Sequence, residues 1–250
     1  MDRAELFWNA SIDDLKRGYI EKEGHLICLM CNREIDKNIV YPEDGMLYNA
    51  RGYMKLHIVK SHGSVFEYLL AMDKKLTGLS EHQKNLLAAF YKGKSDDEIK
   101  HELDIGSIST IRNHRFAFRE KERQSKLFVV LMELLKQKDK NAPAIIDMHR
   151  TATMVDERYN ITADEMKVAL KKYFPDGNDG RLLRFPKKQK HKLMTLRNIA
   201  ARFESNRTYK EKEVNEILKT ADDDYVTLRR YLIEYGFLDR KPDGSQYWLK

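Results

Sequence analysis

The chain has 250 residues, 42% apolar and 34% charged, with 46 Lys and Arg against 39 Asp and Glu and a formal net charge of +7. That length suggests one to three domains, at about 150 residues each, and no run approaches the roughly 20 apolar residues of a membrane span. The acidic, amphipathic start Met1-Asp2-Arg3-Ala4-Glu5-Leu6 has no signal-peptide core, and 5 Pro and 12 Gly without a biased tract exclude large-scale disorder. The expectation is a cytoplasmic protein with no membrane partner, whose modest positive excess permits a polyanionic one.

Residues 1–72 hold both cysteines. Cys28 and Cys31 stand two residues apart and are followed by His57 and His62, giving C-x2-C-x25-H-x4-H. Two thiolates on a knuckle and two imidazoles on a helical turn can complete a tetrahedral zinc site. Leu26-Ile27 reads as a short strand leading into the knuckle, and Tyr53 to Ser61 as a helix carrying the histidines, with Gly63 at its C-cap. His25 is a substitute ligand. The other readings are a CxxC redox pair, for which no βαβ pattern is visible, or two buried free cysteines. Glu34 and Glu67 supply the carboxylates that a catalytic zinc would need. The segment resembles a two-Cys two-His finger, but its 25-residue spacer, against about 12 in the common finger, favours a larger zinc-stapled module.

Residues 79–138 read as helices. Ser80 with Gln83 three residues on is a capping box, and Leu86, Leu87 and Phe90 form the first apolar face. Gly93-Lys94 breaks that helix, and Ser95 with Glu98 opens a second through Ile99 and Leu103. After the turn Asp104-Ile105-Gly106-Ser107, either Ser107 or Ser109 caps a third, containing Thr110-Ile111-Arg112-Asn113-His114-Arg115. With Leu79-Ser80, Gly93, Ser95, Glu98-Ile99, Leu103, Ile105, Thr110-Ile111-Arg112 and His114, this stretch resembles the LuxR-type helix-turn-helix of bacterial transcriptional regulators. The resemblance implies a third helix whose first turns enter the major groove. From Ser107 to Lys126 six basic residues face two acidic ones. Arg112 and Asn113 are the candidate base contacts, and Arg119, Arg123 and Lys126 the candidate phosphate contacts. Arg115 shares a row with Ile111 and Phe118, which leaves it between DNA contact and burial. Farther along, Leu127, Phe128, Leu131, Leu134 and Leu135 form an apolar stripe that reads either as intrachain core or as a homodimer interface.

Asp139-Lys140-Asn141-Ala142-Pro143 begins a linker and connecting helix over 139–180, with the helix from Ala163 to Phe174 closed by Pro175-Asp176-Gly177. Residues 181–250 carry 17 Lys and Arg against 10 Asp and Glu. Their predicted order is a helix over Lys187–Phe203, a second opened by a capping box at Thr208–Glu211, and a third capped by Asp223 or Asp224 and ended by Gly236. A hairpin around Lys241-Pro242-Asp243-Gly244 follows. Three helices and a hairpin are the order of a winged helix. Lys187, Lys188, Arg229 and Arg230 are its candidate DNA contacts, with a pairing of Arg229 to Asp223 as the structural alternative. The runs Tyr209–Asn215, Asp224–Leu232 and Gly236–Arg240, with Asp243-Gly244 and Tyr247-Trp248, resemble a bacterial C-terminal domain of unknown function found in regulator-like proteins.

The expected fold class is mainly α with small β-hairpins: a zinc-stapled N-terminal module, a helix-turn-helix and a winged-helix-like C-terminal domain. The expected function is that of a sequence-specific regulator of transcription bound to double-stranded DNA as a homodimer at the nucleoid, with a structural Zn2+. The alternatives are a zinc-dependent nuclease and a protein-interaction adaptor. Against the nuclease, the sequence has no HNH arrangement around the ligands, no Gly-rich phosphate loop and no G-x-S-x-G elbow.

Overall fold

The computed structural model describes residues 3–250, with side chains from Leu6 onward; Met1 and Asp2, at the start of the leader reading, lie outside the described residues. About half of it is helix, joined by small antiparallel sheets. Packing separates two units, one of residues 1–76 with 144–250 and one of residues 77–143.

The first unit opens with α1 (Arg3–Trp8) and α2 (Ile12–Arg17). Ser11 caps α2 by accepting from the Asp14 N–H, and Gly18 ends it in the left-handed region at φ 80°. A Cβ at Gly18 would stand 2.7 Å from Val65 Cγ2, so both the turn and the close approach require glycine. β1 (Tyr19–Lys22), β2 (His25–Cys28) and β3 (Glu34–Asp36) form an antiparallel sheet in that order. Its first hairpin turns at Glu23-Gly24, both at positive φ, as a two-residue loop between right-twisted strands demands. β4 (Tyr41–Glu43) and β5 (Met46–Tyr48) repeat the device at Asp44-Gly45.

α3 (Ala50–His62) then packs Met54 and Ile58 onto Leu26 and Ile35 of the sheet. It starts three residues before the predicted Tyr53 because the Asn49 side chain accepts from the Gly52 N–H. Gly63 at the C-cap is as expected. α4 (Val65–Ala71) and α5 (Lys74–Thr77) follow.

The second unit holds α6 (Glu81–Tyr91), α7 (Asp96–Glu102) and α8 (Ile108–Lys138). Both predicted capping boxes form, Ser80 with Gln83 and Ser95 with Glu98, and Ser107 rather than Ser109 caps α8. Leu86, Ala89, Ile99, Ile105 and Ile111 make the core, with Phe90, Leu103 and Phe118 at its edge. α8 has 31 residues, about 46 Å at 1.5 Å each. Beyond Phe118 it leaves that core. Leu127, Phe128, Leu131, Leu134 and Leu135 are exposed, which corrects the reading of this stripe as intrachain core.

The chain returns to the first unit through a loop, a short 3-10 turn at Glu157–Tyr159 and α9 (Ala163–Tyr173), which packs on α10 (Gln189–Ala200). The rest is β6 (Thr208–Tyr209), α11 (Glu211–Lys219), α12 (Tyr225–Glu234), β7 (Leu238–Arg240) and β8 (Tyr247–Leu249). The strands form one antiparallel sheet, ordered β6-β8-β7.

Two boundaries differ from expectation. α10 starts at Gln189, leaving Lys187 and Lys188 ahead of it, and Thr208 does not cap α11. Thr208 and Tyr209 pair instead with Trp248 and Tyr247, and the Lys210 N–H donates to Glu213 at the start of α11. A strand ladder formed across 39 residues took priority over the local capping pattern.

The loop before α9 is strapped to the end of α12. Thr151 and Thr153 donate their hydroxyl hydrogens to the carbonyls of Gly236 and Glu234, each at 2.6 Å. Gly236 sits at φ 79°, and a Cβ there would run into the Thr151 carbonyl oxygen.

Candidate metal centre

The knuckle arises where β2 ends. The Cys28 N–H donates to the Arg33 carbonyl and the Asn32 N–H to the Cys28 carbonyl, at 2.9 and 2.8 Å, with Asn32 in the left-handed region at φ 62°. This tight return puts both sulfurs on one side, facing the last two turns of α3. The sulfurs of Cys28 and Cys31 and the ring nitrogens of His57 and His62 all lie within 4.8 Å of one another. Cys31 Sγ is 3.2 Å from His57 Nε2, and Cys28 Sγ is 3.7 Å from His62 Nε2. Donors at ordinary Zn–S and Zn–N lengths around a tetrahedral ion stand roughly 3.3–3.8 Å apart, so these four fit a metal ion.

The surroundings support ligation. With Nε2 facing the cluster, His57 Nδ1 meets Ser61 Oγ at 3.2 Å and Arg33 Nη1 at 3.4 Å, contacts that hold the ring's orientation. Arg33 donates to the Tyr53 hydroxyl at 3.0 Å, and Tyr53 stacks on Tyr41 beside the cluster. The Cys28 thiol is pulled far below its ordinary range, first by the hydrogen bond with Cys31 and then, against burial, by His57 and His62. Cys31 is pushed up, chiefly by the same partner. The Cys28 sulfur is thus disposed toward the thiolate form that ligates a cation.

The other sequence candidates stand apart. His25 makes a 3.0 Å contact with the Glu23 carbonyl at the far end of β2. Glu67 is engaged with Ser64 at the start of α4, and Glu34 is exposed on β3. No carboxylate belongs to the cluster found among the described residues.

Sequence comparison adds one finding. Residues 181–249 match a family described as "Uncharacterized protein conserved in bacteria (DUF2087)". These residues form a DUF2087 domain. No curated protein and no solved structure matches the chain.

Within the DUF2087 domain, Lys187, Lys188 and Arg230 are exposed. Arg229 is only 16% exposed and is held by Glu211 Oε1 at 2.7 Å and Asn215 Oδ1 at 2.5 Å. The anticipated pairing of Arg229 with Asp223 does not occur; Asp223 pairs with Arg181 at 2.7 Å.

On α8, Arg112 and Asn113 are exposed, with Arg112 Nε 3.8 Å from Asp96 Oδ2. Arg115 is half-buried, donating twice to Asp96 Oδ1 while its guanidinium lies 3.7 Å from the Phe90 ring centre. Arg123 pairs with Glu120 at 2.5 Å, whereas Arg119 and Lys126 are exposed with no ion pair among the described residues. Residue patterns missed Arg33, Ser61 and Arg150, the last of which donates to the Leu29 carbonyl inside the knuckle. Arg150 lies in a loop without periodicity, so only tertiary packing reveals it.

Proposed function

We propose that this protein is a sequence-specific DNA-binding regulator of bacterial transcription, acting in the cytoplasm at the nucleoid, with α8 as its reading helix and a structural zinc on Cys28, Cys31, His57 and His62. The observation that carries the reading is the placement of Arg112, Arg119, Arg123 and Lys126. At 3.6 residues per turn they fall within about 60° of one face of α8, and all four are exposed. Such a face suits phosphates, and its N-terminal end suits base edges. The α6–α7–α8 order with its two capping boxes supports a helix-turn-helix. In the DUF2087 domain, the order helix, strand, two helices and two strands supports a winged helix, with Lys187, Lys188 and Arg230 as accessory phosphate contacts. Arg115 and Arg229 act structurally in this reading, because each is taken up by neighbouring acceptors. The exposed apolar turns from Leu127 to Leu135 pair two copies, as two-fold operators favour.

Mobility shift against operator and random duplexes, with and without magnesium, tests the proposal. Binding without cleavage is expected. Arg112→Ala flattens discrimination by about 1–3 kcal/mol, and Arg119→Ala weakens both duplexes alike and lowers the salt slope by about 1. Magnesium-dependent cleavage overturns the reading in favour of a nuclease, and no binding overturns it in favour of an adaptor. Leu131→Glu is expected to convert dimer to monomer in sedimentation.

A further inference from the structure

Arg150 is buried and carries a full charge, yet among the described residues it has no carboxylate partner. It donates to the Leu29 carbonyl and lies 5.8 Å from the Phe7 ring centre. A guanidinium withdrawn from water without a counter-charge is costly. A divalent ion on Cys28 and Cys31 would balance the two thiolates and leave the Arg150 charge to other company.

Beside Arg150 opens a cleft of about 700 Å³ between the knuckle and the first helix and sheet of the DUF2087 domain. That volume lies within the range of small-molecule sites, about 300–1,000 Å³. Arg150, Arg197, Arg207 and Lys250 line it, and no Asp or Glu does. Arg207 and Lys250 lean on Glu204, Glu213 and Asp239 outside the wall, and Arg197 donates to the Asp147 carbonyl at 2.5 Å. Two polar atoms of lining residues, Asn32 Oδ1 and Ser205 Oγ, are buried with no hydrogen-bond partner. A buried polar atom left unpaired is costly. Trp248, on the same wall, offers a planar apolar surface.

We propose that this cleft binds a small organic anion, its phosphate or carboxylate held by Arg150 and Arg197 and its ring set against Trp248. The full-length protein is titrated with phenyl phosphate, benzoate and adenosine 5′-monophosphate, read by tryptophan fluorescence and calorimetry, with benzyl alcohol as the uncharged control. The expected result is saturable one-to-one binding of at least one anion and none of benzyl alcohol. Phenyl phosphate against benzoate decides which acidic group is preferred. Arg150→Gln is expected to weaken binding about tenfold or more, as loss of a charge-assisted hydrogen bond implies. Trp248→Phe is expected to abolish the fluorescence change but keep the heat. Arg207→Gln, on the exposed rim, is expected to weaken binding to a smaller degree and carries the test if Arg150→Gln loses its fold. Failure of all three anions to saturate, equal binding of benzyl alcohol, or unchanged affinity in every folded arginine variant overturns the proposal. DNA is absent throughout, so the outcome is separate from that of the mobility shifts.

Discussion

The sheet and α3 of the N-terminal module gather eight buried residues into their core, and one of these, Cys28, is a metal-ligand candidate. The core that runs from Ala152 to Tyr247 gathers twenty-three, none of them a cysteine or histidine. A short segment buries too small a share of its surface to stand on apolar packing alone, which is why small folds use metals or disulfides as staples. The DUF2087 domain recruits α9 and the loop before it, adding Ala152, Tyr159, Ile161, Ala169, Tyr173 and Phe174 to its own apolar residues. One region is therefore expected to depend on a bound ion and the other on packing.

The largest test of that contrast is removal of the ion. A structural zinc contributes on the order of 10–16 kcal/mol to the fold that holds it. Cys31→Ser, or chelation, is expected to abolish most hydrogen-exchange protection across residues 20–65 while residues 181–249 stay protected, and the wild type is expected to carry about one zinc per chain. Equal loss in both regions would break the comparison.

The converse is Phe203→Ala, at a fully buried position of the larger core. It is expected to cost about 3–5 kcal/mol in denaturant unfolding of the DUF2087 domain and to leave the zinc content unchanged.

A smaller effect is expected at the joint. Gly236→Ala forces a side chain against the Thr151 carbonyl at a positive φ. Overpacking of this kind costs about 1–3 kcal/mol. The strap at residues 149–153 also carries Arg150 to Leu29, so exchange is expected to rise at both His149–Thr153 and Leu29–Asn32.

The smallest concerns His191. Burial, then Lys188, Lys172 and Lys190, holds its pKa below the ordinary value, and the Tyr173 hydroxyl meets Nδ1 at 3.0 Å. The folded state therefore disfavours the protonated ring. The stability this contributes is fully present above the ordinary value, near pH 6.5, and is lost as the pH falls through the window below it. Exchange at residues 181–249 in wild type and His191→Gln, measured at about pH 7 and about pH 5, is expected to show a slightly smaller acid loss in the variant.

Much of the local architecture was legible before the fold. Ser80, Ser95 and Asp224 are caps because their side chains replace missing helical partners within three residues, an interaction that needs no tertiary context. Cys28, Cys31, His57 and His62 were legible for a related reason, since few residue types bind a metal and the chain carries only two cysteines. The capping pattern at Thr208 misled because an equally local signal was outweighed by pairing with β8. The apolar run after Leu127 left two readings open because periodicity reports that a face is to be covered and says nothing of what covers it, and exposure removes only the intrachain one.

Sequence alone thus determined the caps at Ser80, Ser95 and Asp224 and the four donors of the metal centre, consequences of backbone and ligand chemistry acting over short range or through rare residue types. Tertiary structure decided which charges are spent and which are free. The sequence leaves Arg115 and Arg229 between DNA contact and a structural role, and in the fold Asp96 holds the first and Glu211 and Asn215 the second. It also decided that Arg150 is drawn to the knuckle and that a cleft lined by cations opens beside it. Both depend on which distant groups come within a few ångströms, because hydrogen bonds and ion pairs act only at that range.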